Sequence, residues 1–137
     1  MGSIEEEVLK LVKRYGTSNP FEIAKAKGIV IRYVDIGSVL GFHMKHSRTS
    51  IIHINEKQTY EKQLYTLMHE LGHVVLHPEL NSAFLKVNTF HSMDRYETEA
   101  NEFAISLLLL QEENITIKEA TEQYGIPKQL LYKKIYT

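Results

Sequence analysis

The sequence predicts an α+β fold, a single domain over residues 1–137 in which a small sheet packs on helices. Three observations predict it. Two β-branched runs, Ile29-Val30-Ile31 and Ile51-Ile52-His53-Ile54, bracket the stretch Val39 to His46, with Gly and polar residues between the pieces. Beyond them Leu64, Leu67, Met68, Leu71, Val74 and Val75 recur at helical spacing as one continuous apolar stripe, which Pro78 ends. A chain of 137 residues suits one domain, and it holds no internal repeat, low-complexity segment or linker.

Taken in order, Ile4, Val8, Leu11, Val12 and Tyr15 predict an opening amphipathic helix that stops at Gly16. Asn19-Pro20 reads as a cap followed by Pro at the first helical position. The short helix it starts runs to about Lys27 and ends at Gly28. The next three pieces form a mostly antiparallel three-stranded sheet. The helix carrying the long apolar stripe follows, and residues 78–91, which show no period, read as a loop. A second long helix begins near Ser92 or Asp94 and turns Tyr96, Ala100, Phe103, Ala104, Leu107 and Leu108 to the core. Thr116-Ile117-Lys118-Glu119 is a capping-box pattern, so a short helix follows to Tyr124. Gly125-Ile126-Pro127 breaks it, and a last helix starts near Lys128.

Composition removes several classes of function. With no cysteine the chain has no disulfide, no thiolate chemistry and no Cys-based zinc site. A domain of this size buries a core without such staples. A formal net charge of -1 gives no broad electrostatic hold on nucleic acid, so direct binding to it is not expected. The N-terminus lacks the basic-then-apolar layout of a signal peptide. The longest apolar run, Ile105 to Leu110 interrupted by Ser106, is too short to span a bilayer. The expectation is a soluble, cytoplasmic protein without membrane contact.

Chemistry concentrates on the striped helix. His69 and His73 are four residues apart, so their rings project from one face about a turn apart, the spacing at which two imidazoles bind one tetrahedral Zn²⁺. Glu70 lies about 100° round the helix from His69, beside such an ion but aimed differently, as a general base for water rather than a ligand. Gly72 has no side chain where a neighbouring element could approach; in a helix interior it costs up to about 1 kcal/mol against Ala.

A catalytic zinc site needs three protein ligands. The candidates for the third are His77, Glu79, His91, Glu97, Glu99 and Glu102. His77 extends the same helical row, and three ligands along one straight helix cannot close a tetrahedral face. It suits the helix C-terminus instead. Glu79 stands where a three-histidine protease would need its last histidine, which removes that class. The later helix is the better source. Glu97 and Asn101 share a face there, and antiparallel packing brings Glu97 to the metal and Asn101 to a ligand histidine as a hydrogen-bond partner. Glu99 lies about 200° away from Glu97 and is expected to be solvated or paired at the surface, so Glu97 is favoured over it, although an exposed acidic face remains an alternative reading of both.

The run Thr66 to His73, T-x-x-H-E-L-G-H, followed by Glu97 to Leu108, E-x-E-A-N-x-F-A-x-x-L-L, resembles the ImmA/IrrE family of metallopeptidases. The short helix, Gly28-Ile29-Val30-Ile31, the central Gly41 and the Ile-rich strand fit as well, so the resemblance covers about residues 5–110, and 111–137 are a helical tail. It implies a zincin-like, gluzincin-type domain with His69, His73 and Glu97 as zinc ligands and Glu70 as general base and proton shuttle. It also implies regulated cleavage of a protein partner, a helix-turn-helix transcriptional repressor of a phage or mobile element. The chain departs from the family where Leu109-Leu110-Gln111 follows the paired leucines, in place of Met-Pro or the like.

His91 and Tyr96, which precede the third ligand, are the candidate transition-state donors; Tyr60, Tyr65 and His53 read as structural. An edge strand, Ile51 to Asn55, would hold an extended substrate by strand addition. Two rival readings stand: an antirepressor that grips its partner around a structural zinc without proteolysis, and a DNA-binding regulator using the C-terminal helices. The last two helices have the outline of a helix-turn-helix, yet Glu112, Glu113, Glu119 and Glu122 offset Lys118, Lys128, Lys133 and Lys134.

Overall fold

Each of the first three helices begins at a side chain that closes its first turn. In the computed structural model, which describes residues 2–79, 82–85 and 95–136, Ser3 accepts from the Glu6 amide ahead of α1, Ile4–Tyr15. Asn19 accepts from the Phe21 and Glu22 amides ahead of α2, Pro20–Ala26. Thr59 accepts from the Lys62 amide ahead of α3, Tyr60–Leu76. These satisfy amides that have no partner within the helix. Gly16 closes α1 in the left-handed region at φ 71°. The start expected for the next helix, near Ser92 or Asp94, lies outside the described residues; α4 is described from Arg95 to Gln111. The capping box forms between Thr116 and Glu119 and opens α5, Ile117–Glu122, and α6 covers Lys128–Tyr136.

The fold is α+β, as expected, and the sheet carries one more strand than the sequence suggested. Strands β1, Val30–Val34, β2, Val39–His46, and β3, Thr49–Asn55, are joined by β4, Ser82–Leu85, from the stretch expected to be a loop. The order is β1-β3-β2-β4. β1 runs parallel to β3, while β2 is antiparallel to both β3 and β4, so the sheet is mostly antiparallel. The step from β1 to β2 therefore passes the end of β3. Asn55, buried there, donates from its side-chain amide to the Gly37 and Val39 carbonyls at 2.9 and 2.8 Å and pins the crossing. β3 is paired on both sides, which overturns its expected role as the edge that receives a substrate. The outer strands are β1 and β4.

The core lies between sheet, α3 and α4. Ile52 and Ile54 of β3, Leu67, Met68 and Leu71 of α3, and Phe103, Ala104, Leu107 and Leu108 of α4 are fully buried. Helix α3 is enclosed all round: every residue from Leu64 to His73 is buried, including His69, Glu70 and His73. Two glycines let its neighbours come this close. A Cβ on Gly41 of β2 would lie 2.6 Å from the Thr66 Cγ2 and 2.8 Å from the His53 carbonyl oxygen. A Cβ on Gly72 would lie 3.0 to 3.1 Å from Phe103, the close neighbour that the helical Gly requires. Tyr96, expected on the buried side of α4, is instead 45% exposed in the first turn.

The tail packs on the same core. Ala120, Tyr124, Ile126 and Leu131 are buried members of the main cluster, and Lys134 of α6 pairs with Glu5 of α1 at 2.7 Å. Among the described residues no helix is long and apolar enough to cross a membrane.

Candidate metal centre

Antiparallel packing of α4 on α3 brings together three of the side chains singled out by their spacing. One ligand atom each from His69, His73 and Glu97 lies within 4.8 Å of the others, the only group of this kind among the described residues. The His69 Nε2 stands 3.3 Å from Glu97 Oε2, and the His73 Nε2 stands 2.5 Å from Glu97 Oε1. Tetrahedral zinc at its usual bond lengths separates its ligand atoms by about 3.3 Å. Two buried imidazole nitrogens and a half-buried carboxylate converge here and fit such an ion in chemistry; the His69–Glu97 separation already matches, and the closer His73–Glu97 pair would have to open by under about 1 Å.

Electrostatics favour an ionised carboxylate here. Burial is the largest single influence on Glu97 and opposes its charge. The hydrogen bonds and charges of His69 and His73 together outweigh it and hold the Glu97 carboxyl down to about 2.

Each histidine is also held from behind. Asn101 Oδ1 lies 2.8 Å from His69 Nδ1 and accepts the Tyr65 hydroxyl at 3.0 Å. Burial, aided by the Glu97 charge, pushes the Tyr65 phenol well above its usual range, so it stays protonated and donates. The His73 Nδ1 stands 3.1 Å from His77 Nδ1, and His77 Nε2 stands 2.7 Å from Glu99 Oε1. With Nε2 of His73 turned to the centre, the consistent direction is His73 Nδ1–H to His77 and His77 Nε2–H to Glu99. Glu99, expected in solvent or in a surface pair, makes both contacts: it meets Arg95 at 3.3 Å and also reaches the buried His77. The His77 hydrogen bond is the largest influence on its carboxyl and, with Arg95, holds it below its usual range against a smaller effect of burial.

Glu70 is fully buried on α3. Its Oε1 lies 3.1 Å from Nδ1 of His43, and its Oε2 has no hydrogen-bond partner among the described residues. His43 comes from β2 and was not singled out by the sequence. Its ring also stacks at 5.6 Å on that of His73. Strand alternation is the signal that places it, because Gly41 and His43 share the buried face of β2.

Of the two candidate transition-state donors, Tyr96 packs edge-on against His77 with ring centres 4.8 Å apart. His91 lies outside the described residues. His53, read as structural, stacks on Phe42 at 4.3 Å.

Two buried histidines and a carboxylate able to hold a metal ion, beside the buried Glu70, are what a metallopeptidase requires, and the chain's relatives include a metallopeptidase. Residues 24–134 match the Peptidase_M78 family, described as the IrrE N-terminal-like domain, and the chain belongs to that family. It is 35% identical over 139 residues to the "Uncharacterized immunity region protein 2" of Bacillus phage phi105, covering 96% of this chain and 88% of the phage protein. It is 37% identical over 109 residues to the "Metallopeptidase ImmA" of Bacillus subtilis strain 168, covering 77% of this chain and 63% of that protein's length.

Proposed function

We propose that the protein is a zinc-dependent endopeptidase, gluzincin-like in its ligands, that cuts a peptide bond in a protein substrate. The observation that carries this reading is the convergence of His69, His73 and Glu97 beside a Glu70 whose Oε2 is buried and unbonded among the described residues. His69, His73 and Glu97 hold the ion. When bound, zinc supplies Lewis acidity that polarises the scissile carbonyl and acidifies a water.

The chain's own groups do the rest. Glu70 takes a proton from the attacking water as oxygen bonds to the carbonyl carbon, and returns it to the amine nitrogen as the C–N bond breaks. Asn101 fixes the ring of His69, and His77 fixes that of His73. His91 and Tyr96 stay as the candidates for hydrogen bonding to the developing oxyanion. An extended substrate has two outer strands to join, and β4 flanks the strand that bears His43.

The substrate is a helix-turn-helix repressor of a phage or mobile element, cut in the cytoplasm. Support for it is the family together with the names of two relatives, one a metallopeptidase and one an immunity region protein.

The test is Glu70→Gln. Zinc and fold should survive, and cleavage of the repressor should fall by about 10²–10⁴-fold, the usual effect of losing a general base. Undiminished relief of repression in that variant would refute proteolysis and favour an antirepressor that acts by binding alone.

A further inference from the structure

Glu70 is a buried carboxylate, tethered at one oxygen and unbonded at the other among the described residues. The tether is His43. Both side chains are buried, they meet at 3.1 Å between Nδ1 and Oε1, and they come from different layers, β2 and α3. We propose that His43 is a positioning residue for the reaction: its Nδ1–H donates to Glu70 Oε1 and so aims Oε2 at the reacting water. This rests on the proposed peptidase reading.

Four observations carry it. A general base must accept a proton, so in the proposed role Glu70 meets His43 as an acceptor and the proton of this contact belongs to His43 Nδ1. Glu70 Oε2 and His43 Nε2 are both buried without a hydrogen-bond partner among the described residues, so Oε1 is the anchored oxygen and Oε2 the one left for a proton. A carboxylate on a long side chain has several rotamers, and a hydrogen bond at one oxygen removes most of that freedom in advance of the reaction. Finally, the register is built for this contact. Gly41, two residues before His43 and on the same face, lets β2 lie against Thr66, so close to α3 that a Cβ at position 41 would stand 3.8 Å from the Glu70 Cγ. His43 is thereby brought one step along the strand to the carboxylate.

Packing alone would make the opposite demand on position 43, because the His43 ring also stacks on His73. Two variants separate the roles. His43→Phe keeps a ring and removes the donor; His43→Asn keeps a donor at the Nδ1 position and removes the ring. The assay uses the zinc-loaded full chain and a quenched-fluorescence peptide carrying the bond that the wild type cuts in its repressor.

Positioning predicts that H43F lowers kcat by about 10- to 100-fold with KM and zinc stoichiometry unchanged, whereas H43N stays within about threefold of wild type. The reverse order, an equal loss in both, or a loss confined to KM overturns the proposal. If H43F does not fold, Leu replaces Phe in the comparison.

A second readout needs no substrate. Long-range proton–nitrogen correlation spectra of the zinc-loaded protein should show His43 protonated at Nδ1 and bare at Nε2. The Nε2–H tautomer overturns the proposal whether or not cleavage is observed. A wild-type chain that binds zinc and cuts nothing would instead defeat the peptidase reading while this spectrum still decided the contact.

Discussion

Adding one methyl at Gly41 tests how the site is assembled. A Cβ there falls 2.6 Å from a methyl of Thr66 and 2.8 Å from the backbone oxygen of His53. The threonine can turn, but the carbonyl belongs to β3 and cannot move without moving the sheet. Overpacking of this kind costs about 1–3 kcal/mol, and contact with backbone puts Gly41→Ala near the top of that range. Ala recovers about 0.5–1 kcal/mol because Gly is the poorer residue inside a strand. The net loss is about 2 kcal/mol. A cooperatively folded chain of 137 residues loses about 0.3 kcal/mol of stability per degree near its midpoint, so the melting temperature should fall by about 7 °C.

Gly72→Ala is the internal comparison. There the contacts are 3.0 to 3.1 Å and fall on the Phe103 side chain, so about 1 kcal/mol of crowding meets about 1 kcal/mol of gained helix propensity. Its melting temperature should stay close to wild type. Differential scanning calorimetry of the zinc-free proteins reads both. A Gly41→Ala melting temperature at or above that of wild type would refute the close approach of β2 to α3, and with it the placement of His43.

Further outcomes follow from the same geometry. Replacing Asn101 by Ala, which removes the acceptor behind His69, should weaken zinc binding by about 10- to 100-fold in a competition titration, and His77→Ala should do likewise behind His73. The two-residue turn between β2 and β3 holds Ser47 and Arg48 at φ 48° and 72°; Asn-Gly suits that turn, and the double replacement should add about 1 kcal/mol, read as a rise of about 3–4 °C. Glu97 is held at about 2 in the folded zinc-free protein against 4.5 ordinarily. Its contribution to stability is therefore complete above pH 4.5 and fades as pH falls from there toward 2. Denaturant titrations over that window should show a shallower pH dependence for Glu97→Gln than for wild type, and equal slopes would contradict the depressed value.

The elements read most clearly in the sequence were those that announce themselves locally. The stripe from Leu64 to Val75 marks α3 because a buried helix repeats its apolar residues every three or four positions. Spacing also singled out His69 with His73 and favoured Glu97 with Asn101, since residues four apart share a helical face, while Glu70 stood out by its place between the two histidines and the full ligand set came with the family resemblance. What the sequence hid depends on contacts between distant segments. β4 is four residues, Ser82–Leu85, too short to show a period. β3 looks like any Ile-rich strand, and only pairing with β1 and β2 makes it central.

His43 was masked by its neighbours. Leu40, Phe42 and Met44 alternate as a core face should, yet Met44 is 41% exposed and the opposite face, Gly41 and His43, is buried. Polar demand at Glu70 and close approach at Gly41 override the apolar pattern there. Glu99 escaped the angular argument for another reason. It lies about 200° round the helix from Glu97, yet its carboxylate meets His77 at 2.7 Å, a contact that a helical wheel does not show.

In the proposed site α3 and α4 together hold one zinc ion between His69, His73 and Glu97. Metal analysis of the purified wild-type chain beside Glu97→Ala tests it most directly. One zinc per wild-type chain, lost from a variant that stays folded, is the expected result; a folded wild type with no bound metal, or a variant that keeps its zinc at full stoichiometry and affinity, would overturn the site.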